Sequence, residues 1–183
     1  MTMTPEVRWQ IACHEAGHAI GSLGQGGRCC GLVIVSDGGF AAGQAGLPAN
    51  KRAYSIAAGP AGEKLAKRFP VPESPHAELR VLTFSDIEDL PVFASCPGLA
   101  ARMCRSSEDQ KPSSSDAMEL ARWAITGHEE FPGTWKGMID HAHRMAAEII
   151  RQHEAAFLRI ARALYIAGSL GEDEIISHFL GEV

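Results

Sequence analysis

The segment from Pro5 to Gly27 places the tightest constraint on how this chain can fold. Pro5 followed by Glu6 suits a first helical turn, and Val7, Ile11, His14, Gly17, His18 and Ile20 then recur at helical spacing up to Gly24, Gly26 and Gly27. A helix is therefore expected near residues 6–24. Inside it, His14-Glu15-Ala16-Gly17-His18 sets two imidazoles four residues apart, on one face and one turn from each other, with Glu15 beside them. Two histidines do not complete a zinc site, because catalytic zinc usually takes three protein donors and keeps a fourth position for water. If the pair holds a metal, the fold must bring a distant side chain to this face.

The rest of the chain reads as mostly helical with little β structure. Cys30 to Ser36 is a short β-branched run, and Asp37-Gly38-Gly39 is a turn able to return it as a hairpin through Phe40 to Gln44. From Ala53 to Phe69 the spacing of Ile56, Ala57, Gly59, Ala61, Leu65 and Phe69 suggests a second helix. Its first half is slim, with Gly59, Pro60 and Gly62 suited to close packing. Residues 70–112 carry six prolines and no sustained period, which predicts an irregular excursion with short helical pieces. Ser113-Ser114-Ser115-Asp116 is a helix-start cluster, and that helix should stop near Gly127. Residues 134–180 form the C-terminal helices: two amphipathic helices, or one broken near Gln152 to Glu154, end at Gly168, and Glu172 to Leu180 is a last short one.

Composition narrows the class of protein. With 183 residues the natural count is one domain, residues 1–183, large enough to bury about two-thirds of its unfolded surface without help from metal or disulfides. A net charge of -5 with no dense basic run argues against nucleic acid as a partner. There is no apolar stretch of membrane-spanning length and no signal-peptide pattern, so a cytoplasmic protein with no membrane contact is expected. The five cysteines form no CxxC pair and are odd in number, which suggests reduced thiols.

Three carboxylates compete for the third ligand position. Glu63 would give a two-His, one-Glu site; Asp86 lies in Ser85-Asp86-Ile87-Glu88; Asp116 opens the helix after the serine cluster, where an ordinary capping aspartate would also sit. Spacing alone does not choose among them.

His14-Glu15-Ala16-Gly17-His18-Ala19, the short run Val33-Ile34-Val35 and Ala58-Gly59-Pro60-Ala61-Gly62-Glu63 together resemble the peptidase domain of the FtsH-type ATP-dependent zinc metalloproteases. His141 to Ile150, Ile160 to Leu164 and Leu170 to Ile175 are similar to that family's last helices, so the resemblance covers most of the chain in order. It implies a zincin-like HExxH helix with a C-terminal helical bundle, in a mainly α fold with a small hairpin or short sheet. It also implies a Zn2+ cofactor and a third ligand from an aspartate opening a later helix, for which Asp116 is the best match. Asp86 stays in play, and Glu63 becomes a supporting carboxylate.

On this reading His14, His18 and Asp116 bind zinc, and Glu15 is the general base of an endopeptidase. The strand near Leu32 to Val35 is expected to offer an open edge to an extended substrate. The family's ATPase module has no counterpart here, since no GxxxxGK[ST] phosphate loop occurs. The expected substrates are therefore peptides or unfolded protein segments, delivered by a separate ATPase if by any, and a homo-oligomer is compatible. The competing expectations are a non-catalytic peptide- or partner-binding module and a stand-alone HExxH regulator that cuts one repressor.

Overall fold

The computed structural model describes residues 3–35, 38–42, 47–73, 116–127 and 134–183. Several expectations lie outside these residues: Asp86, the excursion beyond residue 73, the serines before Asp116, and Asp37 of the hairpin turn. The fold is mainly helical with a small antiparallel sheet. In chain order the elements are α1 (Pro5–Leu23), β1 (Gly31–Val35), β2 (Gly38–Ala42), α2 (Ala49–Ala66) and α3 (Asp116–Gly127). They continue with α4 (Trp135–Gln152), α5 (Glu154–Ala167), β3 (Ser169–Gly171) and α6 (Glu172–Leu180).

Helix α1 starts where Thr4 accepts a hydrogen bond from the Val7 amide and Pro5 fills a first-turn position that needs no donor. From Ala12 to Ser22 nearly every residue is buried, because α2, α5 and the sheet all pack on this helix. Its approach to α2 is backbone on backbone. A methyl at Gly17 would collide with the Ala58 carbonyl, and one at Gly62 with the Cys13 carbonyl. The slim half of α2 expected from Gly59, Pro60 and Gly62 is thus the surface that lets two helices touch without side chains between them.

The start of α2 at Ala49 lies four residues before the expected Ala53, since its first turn, Ala49-Asn50-Lys51-Arg52, is largely polar and leaves no apolar period to read. Helices α4 and α5 are separate, broken at His153, whose φ of -117° and ψ of 27° leave the helical region. Gly168 ends α5 at φ 80°, the left-handed conformation that glycine adopts without strain.

The sheet corrects one expectation. Strand β1 is not an edge. The order is β2-β1-β3, with Gly31 to Val35 paired along their length to β2 and Gly31 to Val33 paired to β3. The Ile34 amide also donates to the Gly168 carbonyl, at 2.8 Å. All five residues of β1 are buried, as a strand covered on both faces requires. Gly38 and Gly39, expected in the turn, belong to β2. Strand β3 was not expected, and it joins the C-terminal helices to the hairpin, a link reinforced by the paired contacts of Arg28 with Glu172 at 2.9 and 2.8 Å.

The main apolar core lies between α1, α2, α4 and α5. Trp9, Ile20, Ile56, Met138, Ile150, Phe157, Ile160 and Leu164 are all almost completely removed from solvent, each burial contributing about 1.5–3 kcal/mol. Trp9 is anchored there by donating its indole hydrogen to the Ala66 carbonyl at 3.3 Å. Trp123 is partly buried against Arg52, and Trp135 is exposed. Among the described residues no helix is long and apolar enough to cross a membrane.

Candidate metal centre

Helix α1 delivers His14 and His18 to one face, and the start of α3 delivers Asp116 to the same point. His14 Nε2 lies 2.9 Å from Asp116 Oδ2, His18 Nε2 lies 3.3 Å from it, and the two Nε2 atoms are 3.2 Å apart. These three residues form a group able to hold a metal ion. Donors held about 2.0–2.1 Å from a tetrahedral ion stand roughly 3.4 Å from one another, so the observed triangle is close to that required.

Two further observations fit a cation. Asp116 Oδ2 is buried, yet among the described residues it has no hydrogen-bond donor, despite its short approaches to both imidazoles. The second is the state of the rings. His14 Nδ1 is hydrogen-bonded to Glu63 Oε2 at 3.2 Å, and His18 Nδ1 to the Ser55 carbonyl at 3.0 Å. Both acceptors are oxygens, so the Nδ1 atoms are the donors and each neutral ring turns an Nε2 lone pair toward Asp116. Two lone pairs and a carboxylate oxygen converging on one point repel each other until a proton or a metal ion comes between them.

The electrostatics follow from this convergence. Burial alone would lower the His18 value, but the short contact with Asp116 and its charge, with help from the Glu15 charge and the Ser55 carbonyl, push it up to about 9. His14 is raised for similar reasons, again against burial. Burial would raise Asp116, yet the two histidines hold it well below the usual carboxylate range. Glu15 is raised, mainly because it is buried, although His18 and His14 pull the other way. A carboxyl moved upward in this manner is a better proton acceptor at neutral pH than an ordinary glutamate.

Glu15 is 4% exposed and stands against β2: a methyl at Gly39 would meet its Cγ and Oε1 at 2.7 Å. The bare backbone of that strand therefore abuts the candidate base. Of the three carboxylates weighed for the third position, Asp116 meets both Nε2 atoms, and Glu63 meets the opposite nitrogen of His14, where it orients the ring.

Residues beyond the motif also shape the site. Ser55 holds His18 from both directions, its carbonyl accepting from Nδ1 and its hydroxyl donating to the His18 carbonyl at 3.2 Å. Nothing in the sequence marks that contact, because a main-chain carbonyl is available at any residue. His141 and His143, two apart on α4, do not join the centre; His141 Nε2 is hydrogen-bonded to Tyr54 Oη at 3.0 Å. Cys13 and Cys29 are buried, and Cys30 is partly exposed.

Fold and site together define a helical protein with a candidate two-histidine, one-aspartate metal centre and an adjacent buried glutamate. In sequence comparison no family model and no curated protein matches the chain, so a functional reading rests on the chemistry of the site.

Proposed function

We propose that the protein is a zinc-dependent endopeptidase acting on peptides or unfolded segments, in the manner of the FtsH-type peptidase domains that its sequence resembles. The observation that carries this reading is the convergence of His14, His18 and Asp116 with Glu15 on the same helix as the two imidazoles. A zinc ion bound there would supply Lewis acidity, making water a stronger acid and a carbonyl a stronger electrophile. Glu15 then accepts the proton of the attacking water and passes it to the departing amine. Glu63 and the Ser55 carbonyl keep both imidazoles turned with Nε2 toward the centre, and their hydrogen bonds make the rings more basic donors.

Substrate entry follows from the sheet. With β1 paired on both sides, β2 is the outer strand near the base among the described residues, and it turns the face of Gly39 onto Glu15. An extended peptide adding to β2 would lie beside the strand that covers Glu15, held by main-chain hydrogen bonds that are indifferent to its sequence. Such binding suits chains already unfolded, whether spontaneously or by a separate ATPase.

The test is Glu15→Gln. The variant should keep zinc at the wild-type stoichiometry and lose cleavage of casein or a quenched peptide library by at least about 100-fold, the usual range for removing a general base. Equal cleavage by both proteins would remove the peptidase assignment.

A further inference from the structure

We infer that Gly59 is a positioning residue of the metal centre: the side chain it lacks is the room that the His18 imidazole occupies when its Nε2 is turned toward His14 Nε2 and Asp116. The inference rests on metal binding by His14, His18 and Asp116, and not on the peptidase reaction.

Gly59 lies in the middle of α2, where alanine is the better helix former and glycine weakens the helix. Something outside local preference must therefore favour glycine. A methyl at this position would overlap His18 Nε2, reach His18 Cε1 at 2.5 Å and lie 2.9 Å from His14 Nε2. Those are the two nitrogens that converge with Asp116 Oδ2. At those distances the methyl would lie against the Nε2–Cε1 edge of the His18 ring, off the axis of the Nε2 lone pair, and would push the ring out of the place from which it can reach an ion about 2.0–2.1 Å away. The imidazoles have little freedom to retreat, because each is tied at Nδ1, one to Glu63 and the other to the Ser55 carbonyl. His18 is also buried.

The other close glycines act differently. Gly17 and Gly62 face main-chain carbonyls of the opposite helix, Ala58 and Cys13, so they set how near the helices come. Only Gly59 among these faces ring nitrogens. Pro60 offers a rival reason for glycine, because a proline crowds the Cβ of the residue before it when that residue is helical. Crowding of that kind would affect folding alone and would leave the metal affinity of the folded protein untouched.

The experiment compares Gly59→Ala with Gly137→Ala, a helical glycine at which an added methyl meets only Thr134 Oγ1 at 3.7 Å, in the full chain, using zinc alone as the probe. Zinc dissociation constants are measured by competition with a chromophoric chelator, normalised to folded protein from circular dichroism. Gly137→Ala should bind zinc as the wild type does, while Gly59→Ala should bind at least about 100-fold more weakly, beyond the 10–100-fold typical of losing a residue that supports a ligand. Unchanged affinity in folded Gly59→Ala beside normal wild-type binding would overturn the inference. Failure of the wild type to bind zinc would instead remove the metal centre, and the inference with it.

If Gly59→Ala does not fold, the same change is made in a His18→Ala background. Recovery of a cooperative thermal transition there would show that the added methyl collides with the imidazole. Continued failure to fold would assign the glycine to Pro60 or to helix packing and overturn the inference.

Discussion

In the presence of a chelator, raising the pH from 6 to 9.5 is expected to weaken the fold through the His18–Asp116 pairing. The His18 imidazole, held at about 9 in the folded protein against an ordinary 6.5, binds its proton more tightly when folded than when unfolded. Its contribution to stability is therefore complete below pH 6.5 and disappears as the pH rises through about 9. Asp116 is displaced downward, so its side of the same pairing persists above the ordinary carboxylate value and is lost in acid. The two displacements describe one interaction and are counted once. At about 1.4 kcal/mol for each tenfold change in proton affinity, the movement from 6.5 to about 9 corresponds to about 3 kcal/mol. A protein of this size loses roughly 2–4 °C of Tm per kcal/mol, giving a fall on the order of 10 °C. The assay is thermal unfolding by circular dichroism at both pH values, for wild type and Asp116→Asn. Cys13, pushed up to about 12 by burial, also weakens the fold at alkaline pH, because it ionises more readily when unfolded. The deciding quantity is consequently the difference between the two proteins. An equal fall in both, or none in the wild type, would refute the ion-pair reasoning. Because zinc needs neutral imidazoles, its affinity should climb over the same interval.

Two other outcomes test the supports of the site. Glu63→Ala removes the acceptor at His14 Nδ1 from a half-exposed position, so it should leave the fold intact while weakening zinc binding by about 10–100-fold; wild-type affinity in a chelator competition would count against its orienting role. Phe157→Ala empties a fully buried position on α5 that packs beside Gly62, and should destabilise the protein by about 3–5 kcal/mol, read as urea midpoint multiplied by m-value. A loss below about 1 kcal/mol would mean that α5 is not part of the main core.

What the sequence disclosed depended on whether the determining interaction was local. Helix α1 and its imidazole pair were legible because a cap, a proline and a four-residue spacing all lie within one stretch of chain. Gly168 and the helix from Glu172 to Leu180 were legible for the same reason. Asp116 was harder: its place beside His14 and His18 depends on packing between distant segments, and only the family resemblance favoured it over Glu63 and Asp86. Strand β3 escaped notice because Ser169-Leu170-Gly171 is too short to alternate and has one apolar residue. The mistaken edge at β1 had no local warning. Gly31-Leu32-Val33-Ile34-Val35 contains no polar residue, which marks a strand covered on both faces, but pairing at its two edges depends on β2 and on the distant Ser169–Gly171.

The three donors also differ in when they can meet during folding. His14 and His18 are neighbours in any conformer in which one helix has formed, whereas Asp116 comes from nearly a hundred residues farther along and arrives only when the chain has closed on itself. A cation that binds the imidazole pair early therefore gains its carboxylate bond only from the finished topology. Occupancy by all three donors would then act as a checkpoint, favouring completed molecules over partly folded ones that carry the same helix.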